Sequence, residues 1–219
     1  MLTRHAITSG AYLESFYKEC ADIWSAERIQ QSLDATLAAR PAQQSGDIWV
    51  FAYGSLIWNP LLDYAERRPA TLDGWHRSFC LRMVAGRGSA DTPGRMLALE
   101  PGGSTQGMAF RLDAAKAMAE LRVMWVREMV AGSYRPIWAR VALAGGGVAT
   151  AIVFVADTGQ PQYRADSSVG AIAHLVGAAS GAFGGNADYV FQLELALREL
   201  GAEDAYIASL ADELRLRAR

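Results

Sequence analysis

The run Ile48-Trp49-Val50-Phe51-Ala52-Tyr53-Gly54-Ser55-Leu56-Ile57-Trp58-Asn59 constrains this chain more than any other stretch. Apolar, β-branched and aromatic residues fill its first half, which reads as a buried strand, and Gly54-Ser55 interrupts it in the manner of a turn. Glycine tolerates positive φ without strain, so a turn there can direct backbone amides outward to grip an anion or a carbonyl oxygen. A Gly-Ser turn after a strand also serves as a plain connection, and the pattern alone leaves both readings open.

Half of the 219 residues are apolar (51%), enough for one sizeable core, so a single main domain is expected over residues 47–219. Residues 1–46 read as a helical extension packed on it. A formal net charge of −2 provides no broad basic field, which argues against nucleic acid or an anionic membrane surface as partner and leaves a small molecule as the default. Cys20 and Cys80 lie far apart, with no zinc spacing and no Cys-x-x-Cys motif, and read as reduced structural thiols. No stretch has the pattern of a secretory leader or the length of a membrane span, so a soluble, cytoplasmic protein is expected.

Taken in order, residues 11–40 carry apolar positions at helical spacing in two pieces, and Pro41 ends the second. Gly74-Trp75-His76-Arg77-Ser78-Phe79-Cys80-Leu81-Arg82 alternates as a half-buried strand does. Residues 84–95 are rich in Gly, Ala, Ser, Asp and Pro and form a loop carrying Arg87 and Arg95. Either guanidinium could recognise a carboxylate or stand solvated. Met96-Leu97-Ala98-Leu99 is a short strand, Glu100-Pro101-Gly102-Gly103 a turn, and residues 106–112 a further strand. Residues 137–143 and 148–155 read as a hairpin around Gly145-Gly146-Gly147. Helices are expected over 168–181 and, last, 190–200; Tyr189 before the latter could approach a ligand or be a core tyrosine with its hydroxyl satisfied.

Asp113 is a natural N-cap for a helix over 114–130, and Gly132 a natural stop. On that helix Leu121, Met124, Trp125 and Glu128 stand at i, i+3, i+4 and i+7, so a carboxylate projects from the apolar stripe. Loss of hydration there raises its pKa toward the range useful for proton transfer; the alternative is a structural ion pair with a loop arginine. His5, His76 and His174 have no Asp-His or His-x-x-x-His setting and read as surface or structural side chains. Ser55 lacks the Gly-x-Ser-x-Gly elbow of a nucleophile.

Several of these segments resemble one family. Trp-Val-Phe followed by Tyr-Gly-Ser-Leu-Ile-Trp, Gly-Trp-x-Arg-x-Phe, Leu-Ala-Leu-Glu-Pro-Gly-Gly with Gly-Met-Ala-Phe-Arg-Leu, Trp-x-Arg-Glu-Met with Gly-x-Tyr-Arg-Pro, and Gly-x-Asn-x-x-Tyr-x-Phe are similar to the ChaC branch of the γ-glutamylcyclotransferase superfamily. Ala52 is a departure, since many relatives carry glycine there, and a methyl group at a strand end should be accommodated. The resemblance implies an α+β fold, a small mixed sheet curling into a barrel with flanking helices. It implies Glu128 as the catalytic acid/base and Ala52, Tyr53, Gly54, Ser55, Leu56 and Ile57 as the substrate loop; Tyr134 and Arg135 follow the helix closely, so their side chains could reach the same pocket. It also implies glutathione as substrate, 5-oxoproline and cysteinylglycine as products, and no cofactor or metal. Other γ-glutamyl amines as substrates, and a non-catalytic regulator of a cation transporter, are the alternatives; the regulator would bind a membrane partner and leave glutathione intact.

Overall fold

A computed structural model describes residues 2–19, 23–42 and 46–218. The N-terminal arm holds α1 (Arg4–Thr8), α2 (Ala11–Glu19) and α3 (Ala26–Ala38), the last capped by the Ser25 hydroxyl, which accepts the Arg28 N–H at 3.3 Å. Five strands follow around one intervening helix: β1 (Trp49–Ala52), β2 (Tyr64–Met83), β3 (Gly94–Leu112), α4 (Ala117–Met129), β4 (Tyr134–Leu143) and β5 (Val148–Ala156). They form a closed barrel in the order β1-β3-β2-β4-β5, sealed where β1 pairs parallel to β5 with Val50 opposite Ile152. Next come α5 (Val169–Ala178), the two-residue strands β6 (Ser180–Gly181) and β7 (Gly184–Gly185), α6 (Asn186–Glu199) and α7 (Ala205–Arg217).

The strands alternate between two buried environments, which is why β5 is apolar along nearly its whole length. Ile152 and Phe154 pack with Leu121, Met124 and Trp125 of α4 and with Ile29 and Leu33 of α3. Val153 and Val155 face the other way, into the cluster that α5, α6 and α7 cover with Ile172, Leu193 and Leu210. The expected hairpin is β4 and β5, turning through Gly145, Gly146 and Gly147, all at positive φ.

Three local expectations are corrected. Glu100-Pro101-Gly102-Gly103 is not a turn between strands: Pro101 pairs with Trp75 and Glu100 with His76 inside one long β3, beside a register shift at Asp73/Trp75. Positive φ at Gly74, Gly102 and Gly103 lets the ladder bulge and bend without breaking, the curvature a five-strand barrel requires. Asp113 accepts the Ala115 N–H at 2.9 Å within a turn, so α4 begins three residues later than its sequence signal. A further helix, α7, follows the one expected to be last; the Asp204 carboxylate caps it by accepting the Ile207 N–H at 3.1 Å.

The arm is fastened to α4. Arg4 forks onto Glu120 at 2.5 and 2.7 Å, and the Trp24 N–H donates to the Val130 carbonyl at 3.0 Å. Gly132 (φ 62°) allows this contact, because a Cβ there would lie 2.0 Å from Trp24 Nε1. Cys80 is a buried free thiol; Cys20 lies outside the described residues. Among the described residues no helix is long and apolar enough to cross a membrane.

Candidate active site

β1 delivers the chain into a single helical turn, closed by Ile57 N–H donating to the Gly54 carbonyl and Asn59 N–H to the Ser55 carbonyl, each at 2.9 Å. Such a turn leaves its leading amides without internal acceptors. Among the described residues the Gly54 and Leu56 N–H groups have no protein acceptor, while Ser55 N–H donates to the Tyr189 hydroxyl at 3.1 Å. Gly54 is not at positive φ, contrary to the reason expected for a glycine here. Its role is space: a Cβ would stand 2.6 Å from the Tyr189 hydroxyl oxygen and 3.2 Å from Leu97 Cδ2.

Two buried arginines hold this turn. Arg77 on β2, its side chain only 1% exposed, donates to the Tyr53 carbonyl (2.8 Å), the Gln106 carbonyl (2.5 Å) and Asp204 (2.9 Å). Arg127 on α4 donates through Nη1 to the Asn59 carbonyl at 2.6 Å and through Nη2 to Ser55 Oγ at 2.9 Å. Its Nε lies 3.0 Å from Glu128 Oε1, so one guanidinium ties the turn to the acid.

Glu128 closes the last turn of α4, above the buried stripe of Leu121, Met124 and Trp125, with its side chain 16% exposed. Burial pushes its pKa above the ordinary glutamate value, opposed by the Arg127 charge; desolvation wins although the cation touches the carboxylate. The ion pair is therefore with its helix neighbour, not with a loop arginine. Three phenols complete the walls. Tyr53 donates to the Phe154 carbonyl at 2.6 Å and Tyr134 to the Leu97 carbonyl at 2.7 Å. Burial, reinforced by the Glu128 charge, holds Tyr53, Tyr134 and Tyr189 above the usual phenol range, so all three stay neutral.

These groups line a cavity of about 740 Å³, within the range that takes a small ligand. Tyr53, Gly54, Ser55, Leu56, Glu128 and Tyr134 all border it; Ala52 and Ile57 are buried in the core and do not. Arg135, beside Tyr134, is exposed on the opposite face of β4, as strand alternation demands. Arg82, Arg87 and Arg95 stand along another wall. Arg87 donates to the Gly185 carbonyl at 2.9 Å and lies 5.7 Å from the Tyr189 ring centre, whereas Arg95 has a buried Nε without a partner among the described residues. The three histidines are exposed and away from the cavity. Among the described residues no group of three or more His, Cys, Asp or Glu side chains is placed to hold a metal ion. Arg77 and Arg127 fall within the motifs Gly-Trp-x-Arg-x-Phe and Trp-x-Arg-Glu-Met, but their bracing roles were not legible there, nor was the further wall of the chamber that Leu2, Tyr12, Phe16 and Ile23 of the arm form.

The chain, with its small closed barrel, belongs to the ChaC-like protein family: the family model matches residues 48–217. Over 182 residues it is 50% identical to the glutathione-specific γ-glutamylcyclotransferase of Escherichia coli (strain K12), covering 83% of this chain and 78% of that one. It is 30% identical over 190 residues to glutathione-specific γ-glutamylcyclotransferase 1 of Homo sapiens, covering 83% and 86% respectively. A crystal structure of a γ-glutamylcyclotransferase specific to glutathione from yeast shares the fold, with a TM-score of 0.73 at 21% identity over 78% of this chain and 97% of that one.

Proposed function

We propose that this protein is a glutathione-specific γ-glutamylcyclotransferase, a lyase that releases 5-oxoproline and cysteinylglycine, with Glu128 as its acid/base. The observation that carries the reading is a dehydrated carboxylate sharing one chamber with the 53–56 turn, in a chain half identical to the E. coli enzyme. In a γ-glutamyl amide the α-amine can reach the γ-carbonyl and close a five-membered lactam. The attack is intramolecular, so holding the right conformer supplies much of the rate, and neither cofactor nor protein nucleophile is needed.

Glu128 takes a proton from the α-ammonium, and the freed amine forms the new C–N bond. The Gly54 and Leu56 amides steady charge on the carbonyl oxygen. Glu128 then returns the proton to the departing nitrogen as the old C–N bond breaks; the new ring nitrogen gives up its second proton, which passes through the same carboxylate to the released amine, so the lactam is neutral, the amine leaves as its ammonium and the carboxylate is regenerated. Ser55 Oγ, held by Arg127, has no histidine bordering the cavity and positions the turn. Arg87 and Arg95 suit the substrate's two carboxylates, and an unpaired buried Nε on Arg95 fits that use. A buried, unbridged Cys80 fits a reducing compartment, and we place the activity in the cytosol.

Purified protein incubated with glutathione should release 5-oxoproline, and its absence would remove the reading. Glu128→Gln keeps the shape and deletes the proton carrier, so turnover should fall by about 10²–10⁴-fold with the fold intact. Unchanged release would take Glu128 out of the reaction.

A further inference from the structure

The N-terminal arm lies outside the family match, yet it reaches the acid. The Tyr12 hydroxyl donates to the carbonyl of Arg127 at 3.2 Å, next to Glu128 in the chain, and the side chain is 7% exposed. Phe16 meets the Tyr12 ring edge-on at 4.9 Å, and Phe183, in the turn between β6 and β7, stacks on its other side at 6.2 Å. Phe183 N–H donates to the Gly86 carbonyl at 2.7 Å, so this aromatic row runs from the arm across the cavity to the loop that carries Arg87. The arm is anchored at its start. Arg4 grips Glu120 and the Leu61 carbonyl, and Asn59 Nδ2 donates to the Leu2 carbonyl at 3.2 Å while the Asn59 carbonyl takes Arg127.

We propose that the arm is a working wall of the active chamber, with Tyr12 and Phe16 as positioning residues that keep water off Glu128 and hold the last turn of α4. This rests on the acid/base reading of Glu128. An arm that served only to cover α4 would have no need to place Leu2, Tyr12, Phe16 and Ile23 along the cavity. The groups facing Glu128 are Arg127 from α4, Tyr53 from the turn after β1, Tyr134 from β4, Tyr189 from α6 and Tyr12 from α2. The four phenols stay neutral, leaving Arg127 and burial as the opposing influences, and the arm acts through burial.

The test compares wild type, Tyr12→Phe, Phe16→Ala and the Tyr12→Ala/Phe16→Ala pair as full-length chains. The carboxyl pKa of Glu128 is read by ¹³C NMR without substrate, and kcat and KM for glutathione are measured across pH. Opening the wall hydrates the acid, so Phe16→Ala should lower the Glu128 pKa by on the order of one unit and move the acid limb of kcat/KM down with it. The pair should go further and lower kcat roughly tenfold or more, while Tyr12→Phe, which keeps the ring but deletes the hydrogen bond to the Arg127 carbonyl, should leave the Glu128 titration close to wild type and lower kcat by less than the pair does. A Glu128 titration in Phe16→Ala equal to wild type overturns the proposal even if the pair fails to fold. A Glu128 titration lowered in Phe16→Ala, together with a wild-type protein that releases no 5-oxoproline, would sustain the arm's shielding role and sink the cyclotransferase reading instead.

Discussion

Replacing Gly54 by alanine puts a methyl carbon 2.6 Å from the Tyr189 oxygen, closer than real Cβ contacts allow, so something must move. The ring cannot swing freely: Trp58 meets it edge-on at 5.4 Å, Phe79 at 6.0 Å, and the Arg87 guanidinium lies 5.7 Å from its centre. The strain is therefore expected to fall on the turn and on the Ser55 N–H bond to Tyr189. Overpacking of this kind costs about 1–3 kcal/mol, and a weakened hydrogen bond adds about 0.5–1.5 kcal/mol. A displacement near 1 Å in a positioning element can cost about 10²-fold in rate. Urea unfolding and 5-oxoproline release would be measured for Gly54→Ala, Tyr189→Phe and the double variant. Tyr189→Phe removes the oxygen that the new methyl strikes, so the double variant should be more stable than the sum of the singles predicts, by about 1–2 kcal/mol. Strict additivity would refute the argument that Gly54 is there for space.

Arg127→Gln should raise the Glu128 pKa further, because its charge is what opposes burial, and the acid limb of kcat/KM should move to higher pH, opposite to the arm variants. The raised carboxyl also has a sign for stability. Folding favours its protonated form, so the contribution of Glu128 is full below the ordinary value of 4.5 and is lost as pH rises through the raised one. Glu128→Gln should therefore melt higher than wild type near neutral pH, with the gap closing in acid. Arg77→Met leaves Asp204 without its buried partner and frees the Tyr53 carbonyl; a loss of about 3–5 kcal/mol in urea unfolding is expected, with reduced turnover.

What could be read from the sequence was what a short period reveals. β1 and the β4–β5 hairpin carry dense β-branched and aromatic runs bounded by glycine, and the stripe leading to Glu128 repeats at helical spacing. The long β3 reads as two strands and a turn because Gly102 and Gly103 look like turn residues, and a bulge differs from a turn only in what pairs across it. The same limit hid what Arg77 and Arg127 do, because their acceptors, main-chain carbonyls together with Asp204 and Ser55 Oγ, lie far off in the chain. Gly54 stood out in the sequence, though for the wrong cause, since crowding from Tyr189 depends on a contact between residues far apart in the chain. Tyr12 and Phe16 look like any amphipathic pair until α2 is seen to end one side of the cavity.

β1 is four residues long and gains its neighbours from both flanks, Phe110 on one side and Ile152 on the other, each contributed by a segment made much later than β1 itself. Closing so short a stave joins segments far apart in the chain, a loop-closure cost that weighs against its forming early. The 53–56 turn hangs directly from its end. A full-length chain in which that stave is still open would therefore lack one wall of the cavity although all of its lining residues are present.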